Sequence, residues 1–302
     1  MGIEFDDSRV DVGRVDDRRG GGRGGLAIGG GAGVVGLIVL LLFQLLGGGG
    51  GSGLQLPAGV SVDGGQQESA QQLEQRCNTP GALDQYTDCR LIKVFDVADA
   101  VWSDEFARRG LPYSSPRLAF FTEVTQTGCG QATAQVGPFY CPPDQEIFLE
   151  LGFLEQLQQE FGAQGQFAQA YIVAHEFGHH LQTLLGTERA VRAAQQRNPD
   201  LANRYSVALE LQADCYAGVW ASLADQRGEG GIALTQDNIA EAVRAAGAVG
   251  DDRIQQKMQG RVDPESFTHG TAQQRQTWFV TGYRSGSIDA CNTFRSGSLS
   301  TA

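Results

Sequence analysis

Three of the chain's four histidines fall inside one short stretch, "AYIVAHEFGHHLQTLLG" at 170–186, and their spacing restricts what this segment can become. On a helix, residues four apart share a face, so His175 and His179 project side by side with Glu176 next to them. Val173, Phe177, Leu181 and Leu184 form a separate apolar stripe that faces a core. His180 lies about 100° round the helix from His179 and reads as a packing or surface residue. The pattern is H-E-x-x-H. Two imidazoles one helical turn apart reach one zinc ion at about 2.0–2.1 Å without distorting the backbone. The glutamate between them is placed to take a proton from a metal-activated water.

A catalytic zinc needs a third protein ligand and an open fourth position. The metzincin extension would require glycine at 182 and histidine at 185, and the chain has Gln182 and Leu185. The next helical segment, "RYSVALELQADCYAGVW", offers Glu210 and Asp214, four apart on one face, with Ala213, Ala217 and Gly218 small enough for close helix approach. We read Glu210 as the third ligand and Asp214 as the carboxylate behind it, accepting a hydrogen bond from the free ring nitrogen of a ligating histidine. The reverse assignment, Asp214 on the metal, stays open. The remaining histidine, His269 in "FTHGTAQQRQTWF", is the candidate for stabilising an oxyanion, with Arg275 as the residue that orients the region. It could instead cap a helix starting near 270. Tyr171 and Tyr283 are alternative donors.

Ahead of these motifs, residues 26–46 ("LAIGGGAGVVGLIVLLLFQLL") hold no charge, long enough to cross roughly 30 Å of hydrocarbon as a helix. Arg14, Arg18, Arg19 and Arg23 precede the run, and no Lys or Arg follows until Arg76. The positive-inside rule then places 1–25 as a cytoplasmic tail, 26–46 as a single anchor, 47–76 as a flexible linker and 77–302 as an extracytoplasmic domain. All six cysteines follow the apolar run, which fits disulfides in an oxidising compartment. Of fifteen pairings, local loops favour Cys77–Cys89 and Cys129–Cys141, leaving Cys215–Cys291. The net charge of −12 leaves no footprint for nucleic acid.

"RLAFFTEVT" (117–125) and "QEIFLELGF" (145–153) read as strands around a Gly/Pro/Cys-rich loop, and helical patterns follow over about 164–186, 200–226, 236–259 and 270–283. Strands first and helices later argue for an α+β domain, mostly helical with a small sheet. Either strand could align an extended peptide at its edge.

The blocks "VDDRRG", "AYIVAHEFGHHLQ", "ELQADCYAGVW", "GDDRIQ", "FTHGTAQQRQTWFVTGY" and "CNTF", in this order, resemble the bacterial neutral zinc metallopeptidase family over nearly the whole chain. The resemblance implies a single-pass membrane protein with a zincin-like domain. The E-x-x-x-D spacing of Glu210 and Asp214 is similar to that of gluzincins. The spacing of His269 and Arg275 resembles a segment assigned to transition-state stabilisation in the CAAX prenyl protease class, although Gly270 stands where that class has proline. "GDD" at 250–252 recurs in the resemblance and is read as loop capping. The expectation is a membrane-anchored metallopeptidase with one zinc ion held by His175, His179 and Glu210, Glu176 as general base, and a protein or peptide as substrate. The alternatives are a zinc-stabilised binding module without catalysis and an amidase acting on a cell-wall amide.

Overall fold

The computed structural model describes residues 3–5, 9–19, 68–161, 165–228 and 230–295. In chain order the elements are β1 (Glu4–Phe5), β2 (Val15–Asp17), α1 (Ala70–Cys77), α2 (Ala82–Gln85), α3 (Thr87–Arg109), β3 (Arg117–Phe121), β4 (Val124–Thr127), β5 (Gly130–Thr133), β6 (Phe139–Cys141), β7 (Glu146–Glu150), α4 (Leu151–Phe161) and α5 (Gln166–Leu184). There follow α6 (Thr187–Arg197), α7 (Ala202–Gln226), β8 (Ile232–Ala233), α8 (Gln236–Ala248), α9 (Asp251–Gln259) and α10 (Ala272–Ser285). The class is α+β, as the order of patterns in the sequence implies.

The main sheet runs β2-β3-β7-β6, with β6 antiparallel at one edge and the other pairings parallel. Because side chains alternate across a strand, β3 and β7 feed two cores. Leu118, Phe120, Ile147 and Leu149 join the helical core, while Ala119, Phe121 and Phe148 pack with Phe139 and Ala132 on the other face. The β4–β5 hairpin belongs to that second face, and the Cys129–Cys141 disulfide ties it to β6. The other two bridges are Cys77–Cys89 and Cys215–Cys291.

On the helical side, α7 lies against α5, α10 and α3. Backbones approach so closely that glycine is required. A Cβ on Gly282 would stand 1.9 Å from the Cys215 carbonyl oxygen, and one on Gly218 would stand 2.0 Å from that of Phe279.

Three expectations need correction. The 23-residue helix α3 is absent from the sequence reading, because it is buried on most of its circumference and shows no single apolar stripe. Several of its buried polar groups find partners in other segments: Arg90 donates to the Leu83 carbonyl and to Gln169, and Asp99 accepts from Arg14 and Tyr113. The pattern at 236–259 is two helices, separated at Gly250. Of the residues set apart as tail and linker, those at 3–5, 9–19 and 68–76 belong to the folded body: β1 pairs with β8, β2 pairs with β3, and Ser69 caps α1 through a reciprocal bond with Gln72. The apolar run at 26–46 lies outside the described residues. Among the described residues, no helix is long and apolar enough to cross a membrane.

Gly282→Ala should lower stability by about 1–3 kcal/mol or more, because the added methyl must push apart backbones that are already in contact. Thermal unfolding of the variant against the parent checks this; an unchanged midpoint would show that the α7–α10 contact yields freely.

Candidate metal centre

Helix α5 presents His175 and His179 with ring centroids 4.9 Å apart and planes at 90°. Helix α7 brings the Glu210 carboxylate against both: Oε2 is 3.2 Å from His175 Nε2 and Oε1 is 3.6 Å from His179 Nε2. One ligand atom from each of the three residues lies within 4.8 Å of the others. Gly178 makes the approach possible, since a Cβ there would sit 2.9 Å from the Ala213 Cα. Two imidazole nitrogens and one carboxylate oxygen are a donor set suited to zinc with a position left open. Burial opposes ionisation of Glu210, but His179, His269 and His175 outweigh it and hold the carboxyl well below its usual range. Glu176 is buried beside them and its carboxyl is pushed up by that burial, in spite of the two histidines.

Behind His175 sits Asp214, with no exposed surface. Its Oδ1 is 2.9 Å from His175 Nδ1. Arg275 donates to the same carboxylate, from Nε at 2.8 Å and from Nη2 at 3.0 Å. The Tyr171 hydroxyl donates to it as well. An ionised carboxylate only accepts, so His175 keeps a hydrogen on Nδ1 for Asp214, and Nε2, which faces Glu210, is the nitrogen that becomes available to a metal when it gives up its own proton. Glu210, and not Asp214, therefore meets the two Nε2 atoms. Burial alone would lower the His175 pKa, yet Asp214 and Glu210 raise it to about 9.

Arg275 does not orient His269 as expected; its bonds go to Asp214 and to the Val249 carbonyl. The residue that holds His269 is Asp251, in the "GDD" motif. Its Oδ2 accepts from the backbone N–H groups of Thr268, His269 and Gly270 at 2.7, 2.7 and 3.0 Å, and its Oδ1 is 3.1 Å from His269 Nδ1. Asp252 accepts from Ala272 N at the start of α10. The motif is visible in the sequence but its target is not, because that target lies 18 residues on. His269 is not the helix cap; Thr271 is, through a capping box with Gln274. Gly270 has φ +89°, a backbone closed to proline, so the loop here departs from the prenyl protease pattern. Tyr171 is committed to Asp214, and neither it nor Tyr283 lines the cleft.

The cleft is lined by Glu176, His179, Glu210 and His269 together with Phe139 and Tyr140 of edge strand β6 and Val191 and Leu209 of the helices. His180 fastens that rim to the metal helix: its Nε2 donates to the Ser114 carbonyl at 2.7 Å and its Nδ1 accepts from the Tyr140 hydroxyl at 3.0 Å. Burial pushes its pKa down to about 4, so it is a neutral strut. The sequence shows 128–143 only as a loop, and β6 escapes notice there because it is three residues long.

An α+β domain with an H-E-x-x-H helix facing a glutamate on a second helix is the arrangement of zinc peptidases of the zincin type. Residues 4–294 match the family model described as "Putative neutral zinc metallopeptidase", and the chain belongs to that family. It is 46% identical over 202 residues to the protein named Uncharacterized protein YpfJ of Escherichia coli (strain K12), covering 67% of this chain and 69% of that one. It is 42% identical over 232 residues to Uncharacterized protein Rv2575 of Mycobacterium tuberculosis, covering 74% and 76%. No solved structure matches the chain.

With His175 raised to about 9, the metal-free protein carries a proton there at pH 7, and zinc must displace it. Titration calorimetry at pH 7 in buffers of different ionisation enthalpy should show release of about one proton per zinc, with affinity weakening as pH falls. Zero release would mean that His175 is neutral before the metal arrives.

Proposed function

We propose that this protein is a zinc-dependent metallopeptidase that hydrolyses peptide bonds, working on the exported side of a membrane, where its three disulfides are stable. The observation that carries this reading is the convergence of His175, His179 and Glu210, with Glu176 in the same cleft. A purely structural metal site has no use for a base at that position, which favours catalysis over a binding module.

Zinc bound by the three residues supplies the Lewis acidity that makes water a nucleophile near pH 7. Glu176 accepts the proton from the attacking water and passes it to the leaving amine; its raised pKa suits both halves of that transfer. His269, with Nδ1 bonded to Asp251, lines the cleft and serves there as the hydrogen-bond donor to the oxyanion. Among the described residues strand β6 has a partner on one side only, so an extended peptide can add along that edge, which supports a peptide substrate over a compact amide.

The test uses the full chain in detergent, assayed for zinc content and hydrolysis of a peptide library. Glu176→Gln should keep the metal and lose about 10²–10⁴-fold in kcat. His269→Ala should lose about 10²–10³-fold, mostly in kcat and not in KM. Unchanged hydrolysis by the Glu176→Gln protein would remove that residue from the mechanism, and a parent protein with no affinity for zinc would sink the reading.

A further inference from the structure

The two histidines are supported by different chemistry. His175 has the Asp214 carboxylate. His179 has Gln182, whose Oε1 lies 2.9 Å from His179 Nδ1. Gln182 is almost fully buried, and its Nε2 donates to the Leu209 carbonyl at 2.7 Å and to Gln212 Oε1 at 3.2 Å. Gln212 Nε2 donates in turn to the Cys291 carbonyl at 3.0 Å. The two backbone carbonyls at the ends of this chain only accept, so each amide must turn its nitrogen towards its carbonyl. The Gln182 oxygen is then left facing His179, which must carry its hydrogen on Nδ1 and present Nε2 to Glu210. Cys291 is itself pinned to α7 by its bridge to Cys215.

We propose that Gln182 is the positioning residue for His179, fixing its tautomer and ring plane through an amide relay anchored on the Leu209 and Cys291 carbonyls. The proposal rests on the metal reading above. A neutral amide orients the ring without adding negative charge beside Glu210 and Glu176.

The test compares zinc dissociation constants, by chelator competition, for the parent, Gln182→Met and Gln212→Leu, together with the metal-free unfolding midpoint of each. Gln182→Met should weaken zinc binding about 10–100-fold and change the visible bands of the cobalt-substituted protein. Gln212→Leu, which removes the contact to Gln182 and the bond to the Cys291 carbonyl but leaves Gln182 on His179, should give a smaller loss in the same direction. Parent-like affinity and cobalt spectrum in Gln182→Met would overturn the proposal, as would a loss fully accounted for by a lower metal-free midpoint. A parent that binds no zinc overturns the metal reading itself, and so the two failures are distinct.

An independent observation concerns the N-terminal segment. Strand β2 sits in register beside β3 (Val15↔Leu118, Asp16↔Ala119, Asp17↔Phe120). Three of the four arginines whose charge argued for a cytoplasmic tail form ion pairs with the disulfide-bearing body: Arg14 with Asp99, Arg18 with Glu146 and Arg19 with Asp88, each at 2.8 Å, while Arg23 lies outside the described residues. Asp88 also holds Arg76, which donates to Cys89 Sγ of the Cys77–Cys89 bridge. Arg19 and Glu68, the described residues on either side of 20–67, stand against each other: Glu68 N donates to Asp17 at 3.3 Å, and its carboxylate is 4.0 Å from Arg19.

We infer that residues 3–19 and the disulfide-bonded body lie on the same side of any membrane the chain meets. A single crossing between 19 and 68 would put β2 and β3 on opposite sides. The test is labelling of cells expressing the full chain with a membrane-impermeant maleimide, using Arg9→Cys or Arg108→Cys; these side chains are 77% and 63% exposed, and the parent has no free cysteine among the described residues. Equal accessibility of the two positions, before and after permeabilisation, is the expected result. Labelling of one in intact cells with the other protected until permeabilisation would overturn it.

Discussion

The Asp214 carboxylate is the contact on which the arrangement of the centre depends. A fully buried charge is tolerated only when paired and hydrogen-bonded. Arg275 from α10, Tyr171 and His175 from α5, and the acid itself from α7 meet at this one group. The pairing with Arg275 and His175 keeps the carboxyl ionised against the effect of burial. Three helices are thereby held at fixed distances, and Gly178, Gly218 and Gly282 permit the close approach that the contacts need. Because Asp214 also takes the Nδ1 proton of His175 as a hydrogen bond, packing and metal-ligand orientation are two results of the same bonds.

Support for His179 and for the rim is built from neutral groups. Gln182 orients His179, and His180 connects the metal helix to the rim strand through Ser114 and Tyr140. The Cys129–Cys141 bridge holds the hairpin against that same strand. A cleft built this way has its floor on helices and its rim on a short strand fastened at several points, which suits a site that must hold a substrate in one geometry.

Features that depend on local pattern were legible in the sequence. The His175–Glu176–His179 group and the Glu210–Asp214 pair rest on the helical period, and the strands near 117 and 146 on apolar and aromatic content, which one sequence displays. Helix α3 was not legible, because burial on all sides erases the stripe that marks a helix at a surface. Nor was the pairing of Arg275 with Asp214 rather than with the neighbourhood of His269, since charge partners across 61 residues leave no local trace. The partners of Arg14, Arg18 and Arg19 were not legible for a related reason: the sequence shows their charge, while the ion pairs they form come from residues 69–128 positions away.

By itself, then, the sequence determined which side chains are available to a metal and on which helical faces they stand, because an α-helix converts spacing into direction without reference to the rest of the chain. It also favoured the three disulfides, two of them through short loops. Only the tertiary structure decided which carboxylate meets the histidines, which acid holds His269, which strand forms the rim and where residues 3–19 belong. Those outcomes depend on how closely helices approach and on which buried charges find partners, and both are properties of contacts between segments far apart in the chain.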